Sequence, residues 1–192
     1  VNNNSTTGDS FTFATGSDTN GDGTVQKPYR TISKALAIAT TGDTIFIDAG
    51  LYAETVVIEA NSMALVGKDS NATVIDPPGP SSTSGVHGIF ADTQVGLIIK
   101  NIGVTGAYEG IYFFDVDRST ISGDSACSNR DGIYLRQGSD TNTISANTAN
   151  SNSNDGIYLH FSSNNNTVSN NITSSNSTDG IYLDQSSNNN TV

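Results

Sequence analysis

Apolar residues return at a fixed interval through the second half of the chain. Asp131-Gly-Ile-Tyr-Leu135, Asp155-Gly-Ile-Tyr-Leu159 and Asp179-Gly-Ile-Tyr-Leu183 are spaced 24 residues apart. Glu109-Gly-Ile-Tyr-Phe113 stands 22 residues before the first, and the fainter His87-Gly-Ile-Phe90 another 22 before that. A second apolar cluster follows the later copies: Ser119-Thr-Ile-Ser122, Asn142-Thr-Ile-Ser145, Asn166-Thr-Val-Ser169 and Asn190-Thr-Val192. Between them lie turn-forming runs such as Ser162-Ser-Asn-Asn-Asn166, which break every period into two or three short strands.

A repeat of this length is one supersecondary unit that buries its apolar side only against its neighbours. Asn, Ser, Thr and Gly are poor helix formers, and the apolar positions hold β-branched and aromatic residues, so a helical solenoid is excluded. Stacking the units about 4.8 Å apart gives every strand a partner above and below. The pattern predicts an all-β fold, a right-handed parallel β-helix solenoid with coils of 22–24 residues, regular from about residue 109. Alternation points Ile133 and Leu135 inward over Ile157, Leu159, Ile181 and Leu183. Ile144, Val168 and Val192 form a second inward column. Ala149 and Thr173 fill a third, narrower wall, where Cys127 is expected as a buried thiol. Asn142, Asn166 and Asn190 should stack, as should Asn152 and Asn176, because side-chain amides hydrogen-bond along such an axis.

The first third reads differently. Residues 1–42 are expected to hold a strand at Phe11–Ala14, a Gly-rich loop and a short amphipathic helix within Lys27–Ala39, with Pro28 at its start. Gly42–Asp48, Glu54–Ile58, Met63–Val66 and Thr73–Ile75 read as strands, opening a β-helix that runs over 43–192. A solenoid end exposes its core and its strand edges, and the helix supplies a cap. Val192 falls in mid-coil. The expected partner of that edge is further coils of the same chain or a second copy, stacked head to tail or laterally.

Composition narrows the setting. With 8 basic against 19 acidic residues the net charge is −11, which argues against nucleic acid and anionic lipid surfaces. Low hydrophobicity would suit disorder, but here the polar residues are periodic. No apolar run is long enough for membrane insertion. A single cysteine excludes an internal disulfide.

Candidate chemistry is sparse. Tyr112, Tyr134, Tyr158 and Tyr182 alternate with the inward residues and should form an exposed ladder, which either stacks against sugar rings or stabilises the sheet through cross-strand contacts. Arg136, His160 and Asp184 stand beside it in successive coils, as an ion-paired column or a reactive one. Asp18, Asn20 and Asp22 before Gly23 match the first half of an oxygen-ligand calcium loop whose closing Glu is missing; calcium is the one cofactor considered. Asp115 and Asp117 suit a carboxylate pair or a solvated turn. Lys100, Arg118 and Arg130 are the other cations near strands or turns. Sequons stand at Asn71, Asn165, Asn171 and Asn176, besides Asn3, Asn4 and Asn189, in a chain rich enough in Asn, Ser and Thr to contain them by chance.

Two stretches carry a resemblance. Gly16-Ser-Asp18, Asp22-Gly-Thr24, Lys27-Pro-Tyr-Arg-Thr-Ile32, Gly42-Asp-Thr-Ile-Phe-Ile47 and Gly50-Leu-Tyr-Ala-Glu-Thr-Val56 resemble the N-terminal cap of pectate-lyase-like right-handed β-helix proteins. The Asp-Gly-Ile-Tyr-Leu and Ser-Ser-Asn-Asn-Asn-Thr-Val repeats look like NosD-type repeats, also called carbohydrate-binding and sugar-hydrolase repeats, known from archaeal and bacterial surface proteins. The resemblance implies an extracellular or cell-surface location. It also implies that an enzyme of this class would carry a Lys or Arg base near calcium held by carboxylates, or paired Asp. The fold hosts lyases, hydrolases, adhesins and structural proteins alike. The expected function is a non-enzymatic extracellular structural protein, a rigid segment of a cell-surface, surface-layer or filament-forming assembly. The alternatives are a polysaccharide lyase or glycoside hydrolase with a groove at the 76–88 insertion, and a carbohydrate-binding adhesin using the tyrosines.

Overall fold

Two or three short strands per coil, each hydrogen-bonded to its counterpart one coil away, make three parallel sheets in the computed structural model, which describes residues 1–192. The first sheet stacks β1 (Thr44–Ile47), β4 (Ala64–Gly67), β7 (Ile98–Lys100), β10 (Thr120–Ser122), β13 (Thr143–Ser145) and β15 (Thr167–Ser169). The second stacks β2 (Gly50–Tyr52), β5 (Thr73–Ile75), β8 (Gly103–Val104) and β11 (Ser125–Ala126). The third stacks β3 (Val56–Ile58), β6 (His87–Asp92), β9 (Glu109–Phe114), β12 (Asp131–Arg136), β14 (Ile157–His160) and β16 (Ile181–Leu183). The result is a right-handed parallel β-helix of about six coils.

The registers follow the sequence repeat. Ile111, Ile133, Ile157 and Ile181 are successive partners in the third sheet, as are Phe113, Leu135, Leu159 and Leu183. Ile99, Ile121, Ile144 and Val168 make the inward column of the first sheet. Val104, Ala126 and Ala149 line the narrow third wall and are fully buried. Cys127 is not in that column. The spacing between these two coils is 23 residues, as the Ser125–Thr148 bridge shows, so Ala126 takes the inward place. Cys127 is half-buried one position later, where its Sγ accepts from the Asn150 N–H at 3.3 Å.

Asparagine binds coil to coil. Asn142 Oδ1 accepts from Ser119 N–H at 2.8 Å while its Nδ2 donates to the Val116 carbonyl at 2.7 Å. Asn166 does the same for Asn142 and Ser139, and Asn152 for Asn129 and Ala126. A carboxamide has a donor and an acceptor on one planar group, so one side chain satisfies two backbone groups of the coil before it. Ser139 also does both, accepting from Val116 N–H at 3.1 Å and donating to the Phe113 carbonyl at 3.3 Å, whereas Asp124 supplies an acceptor to Ile102 N–H.

At the N-terminal end the helix α1 is only Ile32–Leu36, shorter than the periodicity predicts. Thr31, not Pro28, begins it, its hydroxyl accepting from Lys34 N–H. Ile32 and Ala35 are buried, and α1 lies over β1 and β3 as a cap. Phe11–Ala14 forms no strand. Asp48, fully buried, holds that segment instead by accepting from Ser10 N–H, Phe11 N–H and the Thr12 hydroxyl. Phe13 is left facing solvent. The 76–88 insertion spans the connection from β5 to β6.

Candidate functional site

The outward face of the third sheet carries an unbroken run of aromatic rings. Phe90, Tyr112, Tyr134, Tyr158 and Tyr182 succeed one another at centroid spacings of 5.3, 5.1, 4.8 and 5.0 Å. From Tyr112 onward the planes are within 22° of parallel. The coil spacing and the extended backbone impose this geometry, since equivalent outward side chains in parallel register have nowhere else to go.

The stack corrects one expectation. The tyrosines do not form an exposed ladder: Tyr112 and Tyr134 are only 8% and 7% exposed, and Tyr182 alone reaches 38%. Each inner ring spends both faces on its neighbours, so no face is left for a sugar. Their phenols resist ionisation because burial disfavours the phenolate; Tyr158 is pushed up to about 12, with the Asp184 carboxylate adding to the effect.

One edge of the stack is polar. Tyr134 Oη and His160 Nδ1 are 2.8 Å apart, and His160 stacks on Tyr158 at 4.8 Å. His160 Nε2 faces Asp184 Oδ2 at 3.9 Å. Burial holds the imidazole pKa below its ordinary value, the Arg136 charge lowers it further, and Asp184 opposes both. Arg136 lies over the Phe161 ring at 5.0 Å. The Arg136, His160 and Asp184 column is thus a mixed ionic and aromatic cluster flanking the rings. At the other edge His87 Nδ1 pairs with Glu109 Oε2 at 2.7 Å, and His87 packs on Phe90 and Tyr112.

Behind the rings runs an acidic column the sequence reading did not single out, although its signal is the recurring Asp of Asp-Gly-Ile-Tyr. Asp131 Oδ1 accepts from Asp155 N–H at 3.1 Å, and Asp155 Oδ1 from Asp179 N–H at 3.0 Å. Asp131 also pairs with Arg130, whose guanidinium covers Tyr108 at 4.6 Å. Burial raises the Asp155 pKa, and the charges of Asp131 and Asp179 push the same way against the Asp179 N–H. These carboxylates act as coil-to-coil acceptors.

The remaining candidates are scattered. Asp115 sits exposed in a turn at φ 53°, whereas Asp117 accepts from Asp140 N–H at 2.9 Å, so the two do not converge. Lys100 and Arg118 face solvent. Asp18 accepts from the N–H groups of Arg30 and Thr31 and from the Thr31 hydroxyl, holding the start of α1. Asp22 accepts from Thr24 N–H and hydroxyl, and Asn20 is exposed beside them. No three His, Cys, Asp or Glu side chains gather as a metal site. Of the sequons, Asn71 and Asn165 are exposed at turns. Asn171 and Asn176 instead use their amides on Asn147 and Ile144, and on Asn152 and Ala149. A cavity of about 570 Å³ in the N-terminal cap, lined by Phe11, Tyr29, Ile38 and Phe46 among others, lies apart from all of these.

Comparison with known proteins gives a consistent picture. The profile of the family described as "Periplasmic copper-binding protein (NosD)" matches residues 2–192. No curated protein matches the chain. Among solved structures, the catalytic domain of a GH87 α-1,3-glucanase in complex with tetrasaccharides is similar at a TM-score of 0.61 and 16% identity, over 77% of this chain and 33% of that one. A pectin methylesterase in complex with a hexasaccharide aligns at 0.48 and 17% identity, over 76% of this chain and 63% of that one. The chain therefore spans about a third of the glucanase domain, and the likeness is one of fold.

Proposed function

The chain belongs to the NosD family, and from that premise we propose that it is a rigid β-helical scaffold that works outside the cytoplasm. The observation that carries this reading is where the repeated surface groups are spent. The inner tyrosines face each other, and the Asn and Asp columns bind the backbone of the adjoining coil. The positions that repeat most regularly thus serve stiffness along the axis. The family is described as periplasmic, which supports a location outside the cytoplasm, and no helix is long and apolar enough to cross a membrane. The outer edge of β16, the last strand of its sheet, fits pairing with a further coil, from this chain or from a second copy.

Copper does not fit the donors of this chain. Met63 is 1% exposed inside the core, and Cys127 Sγ accepts from a backbone N–H on another wall. His87 is committed to Glu109, and His160 to Tyr134. Cu(I) prefers soft sulfur ligands converging on one point, and Cu(II) wants several imidazoles.

The test is incubation of the protein with pectin, polygalacturonate and α-1,3-glucan, with reducing ends and unsaturated products measured, alongside small-angle scattering of the free chain. A stiff rod that leaves every polymer intact is expected. Depolymerisation that tracks the purified protein would overturn the scaffold reading in favour of a hydrolase or lyase. One observation favours a second reading, glycan binding without turnover: Tyr182 keeps an open ring. Loss of polysaccharide retention on Tyr182→Ala, with the fold intact, would support it.

A further inference from the structure

One column contains a residue of the wrong chemistry. Asp124, Asn147 and Asn171 occupy equivalent places in successive coils, after β10, β13 and β15. Each Asn uses both ends of its amide. Asn147 Oδ1 accepts from Asp124 N–H at 2.9 Å and its Nδ2 donates to the Ile121 carbonyl at 3.0 Å. Asn171 accepts from Asn147 N–H and donates to the Ile144 carbonyl, both at 2.9 Å. Asp124 Oδ1 plays the acceptor part, taking the Ile102 N–H at 2.8 Å. Its Oδ2 stands where the Asn siblings carry Nδ2. That atom is buried and has no hydrogen-bond partner. The register pairs Ile121 with Ile99, so the carbonyl at the matching place one coil earlier is that of Ile99.

A carboxylate cannot donate, and an unpaired buried charge is among the costliest groups a fold can hold. The surroundings offer it no counter-charge. Among the strands packed around it, β7, β8, β10, β11 and β13, the one charged residue is Lys100, which is exposed and turned to solvent. The groups that act on it are the N–H groups of Ile102 and Ser122.

We propose that Asp124 is a proton-dependent member of the amide ladder: as a carboxylic acid it donates Oδ2–H to the Ile99 carbonyl and completes its coil, and as a carboxylate it opens it. Deprotonation sends the proton to solvent and leaves two oxygens facing each other. Burial pushes this carboxyl up to about 8, against an ordinary value of 3.8. The folded chain therefore holds the proton more tightly than the unfolded one. The stabilisation is complete below pH 3.8 and is lost as pH rises towards about 8, at up to tenfold in the folding equilibrium per pH unit. The coils joined by β7 and β10 become the weak point of the rod in mild alkali.

The experiment is a carbon-13 NMR titration of the Asp124 carboxyl in the whole chain, with chemical denaturation of the wild type and Asp124→Asn at pH 5, 7 and 9. Expected is a carboxyl midpoint in the neutral-to-alkaline range, together with Asp124→Asn relieving the alkaline loss. A carboxyl that titrates in the ordinary acidic range overturns the proposal, as does an Asn variant that loses as much stability between pH 5 and 9 as the wild type. Should the variant fail to fold, the wild-type titration decides by itself.

Discussion

Asn152 Oδ1 accepts the backbone N–H of Asn129, one coil earlier, at 2.9 Å. The same amide donates from Nδ2 to the Ala126 carbonyl at 3.2 Å. Asn176 in turn accepts from Asn152 N–H. The bond is made at a turn, where strand pairing stops and backbone groups would otherwise be orphaned inside a narrow solenoid. A chain with few large apolar residues thereby closes each corner without a bulky core.

Asn152→Ala removes both partners and leaves the Asn129 N–H and the Ala126 carbonyl buried and unsatisfied. At roughly 1–3 kcal/mol for each such group, the variant should lose about 2–5 kcal/mol. Asn188→Ala, at an exposed place where the ladder bond is made by its backbone N–H and not its amide, should cost under about 1 kcal/mol. Urea denaturation of the two variants decides. Equal losses would mean that the buried ladder contributes nothing of its own.

The coils were legible in the sequence because identity at a 24-residue spacing fixes register directly: Ile133, Ile157 and Ile181 had one way to align. The Asn columns were legible for the same reason. What escaped depended on distance or on small offsets. Phe11–Ala14 alternates like a strand, but its partner is the side chain of Asp48, more than thirty residues away. Cys127 fell out of its column through a one-residue change in coil length. The tyrosines were read correctly as outward and stacked, yet their faces were consumed by each other, which alternation along one strand does not reveal. Asp124 escaped because an acid among amides stands out only once the coils are superposed.

The stack predicts unequal costs along its length. Tyr134 has a ring on both faces and a hydrogen bond to His160, whereas Tyr182 has one neighbour and is partly open. With about 0.5–1.5 kcal/mol for each aromatic pair and a few more for burial of the ring, Tyr134→Ala should cost roughly 3 kcal/mol or more, and Tyr182→Ala less than half of that. Tyr134→Phe keeps the stack and should cost about 1 kcal/mol. Thermal melts rank the three. A Tyr182→Ala loss as large as that of Tyr134→Ala would refute the assignment.

His160 supplies an acid-side pH dependence. Burial and Arg136 lower its pKa in the folded chain, so the unfolded chain takes up the proton first. Stability is fully present above the unfolded value of about 6.5 and falls as pH drops below it, levelling off under the folded value. His160→Gln keeps a hydrogen-bonding partner for Tyr134 and removes the titration. Denaturation midpoints compared between pH 7.5 and 5 should converge for the two proteins at the acidic end. A wild type and a variant that run parallel across that range would show that His160 does not titrate with folding.

Glycine at the start of the third-sheet strands gives the sharpest positional test. A Cβ on Gly132 would stand 2.5 Å from the Gly156 carbonyl oxygen and 2.9 Å from that of Ala126. Both are backbone atoms, one in the next coil and one in the same coil, so neither can yield without breaking the stacking. Gly156 meets the Gly180 carbonyl in the same way at 2.5 Å. On Gly180 the nearest atom is the Thr173 hydroxyl at 2.7 Å, at the end of a side chain that can rotate. Gly132→Ala is therefore expected to cost about 3 kcal/mol, at the upper end of overpacking, while Gly180→Ala costs less than about 1 kcal/mol. All three glycines occupy equivalent places in the repeat, so intrinsic strand preference cancels from the comparison. Chemical denaturation of the two alanine variants provides the measurement. Equal stabilities would mean that adjoining coils do not press on this position and that the stacked register is wrong there.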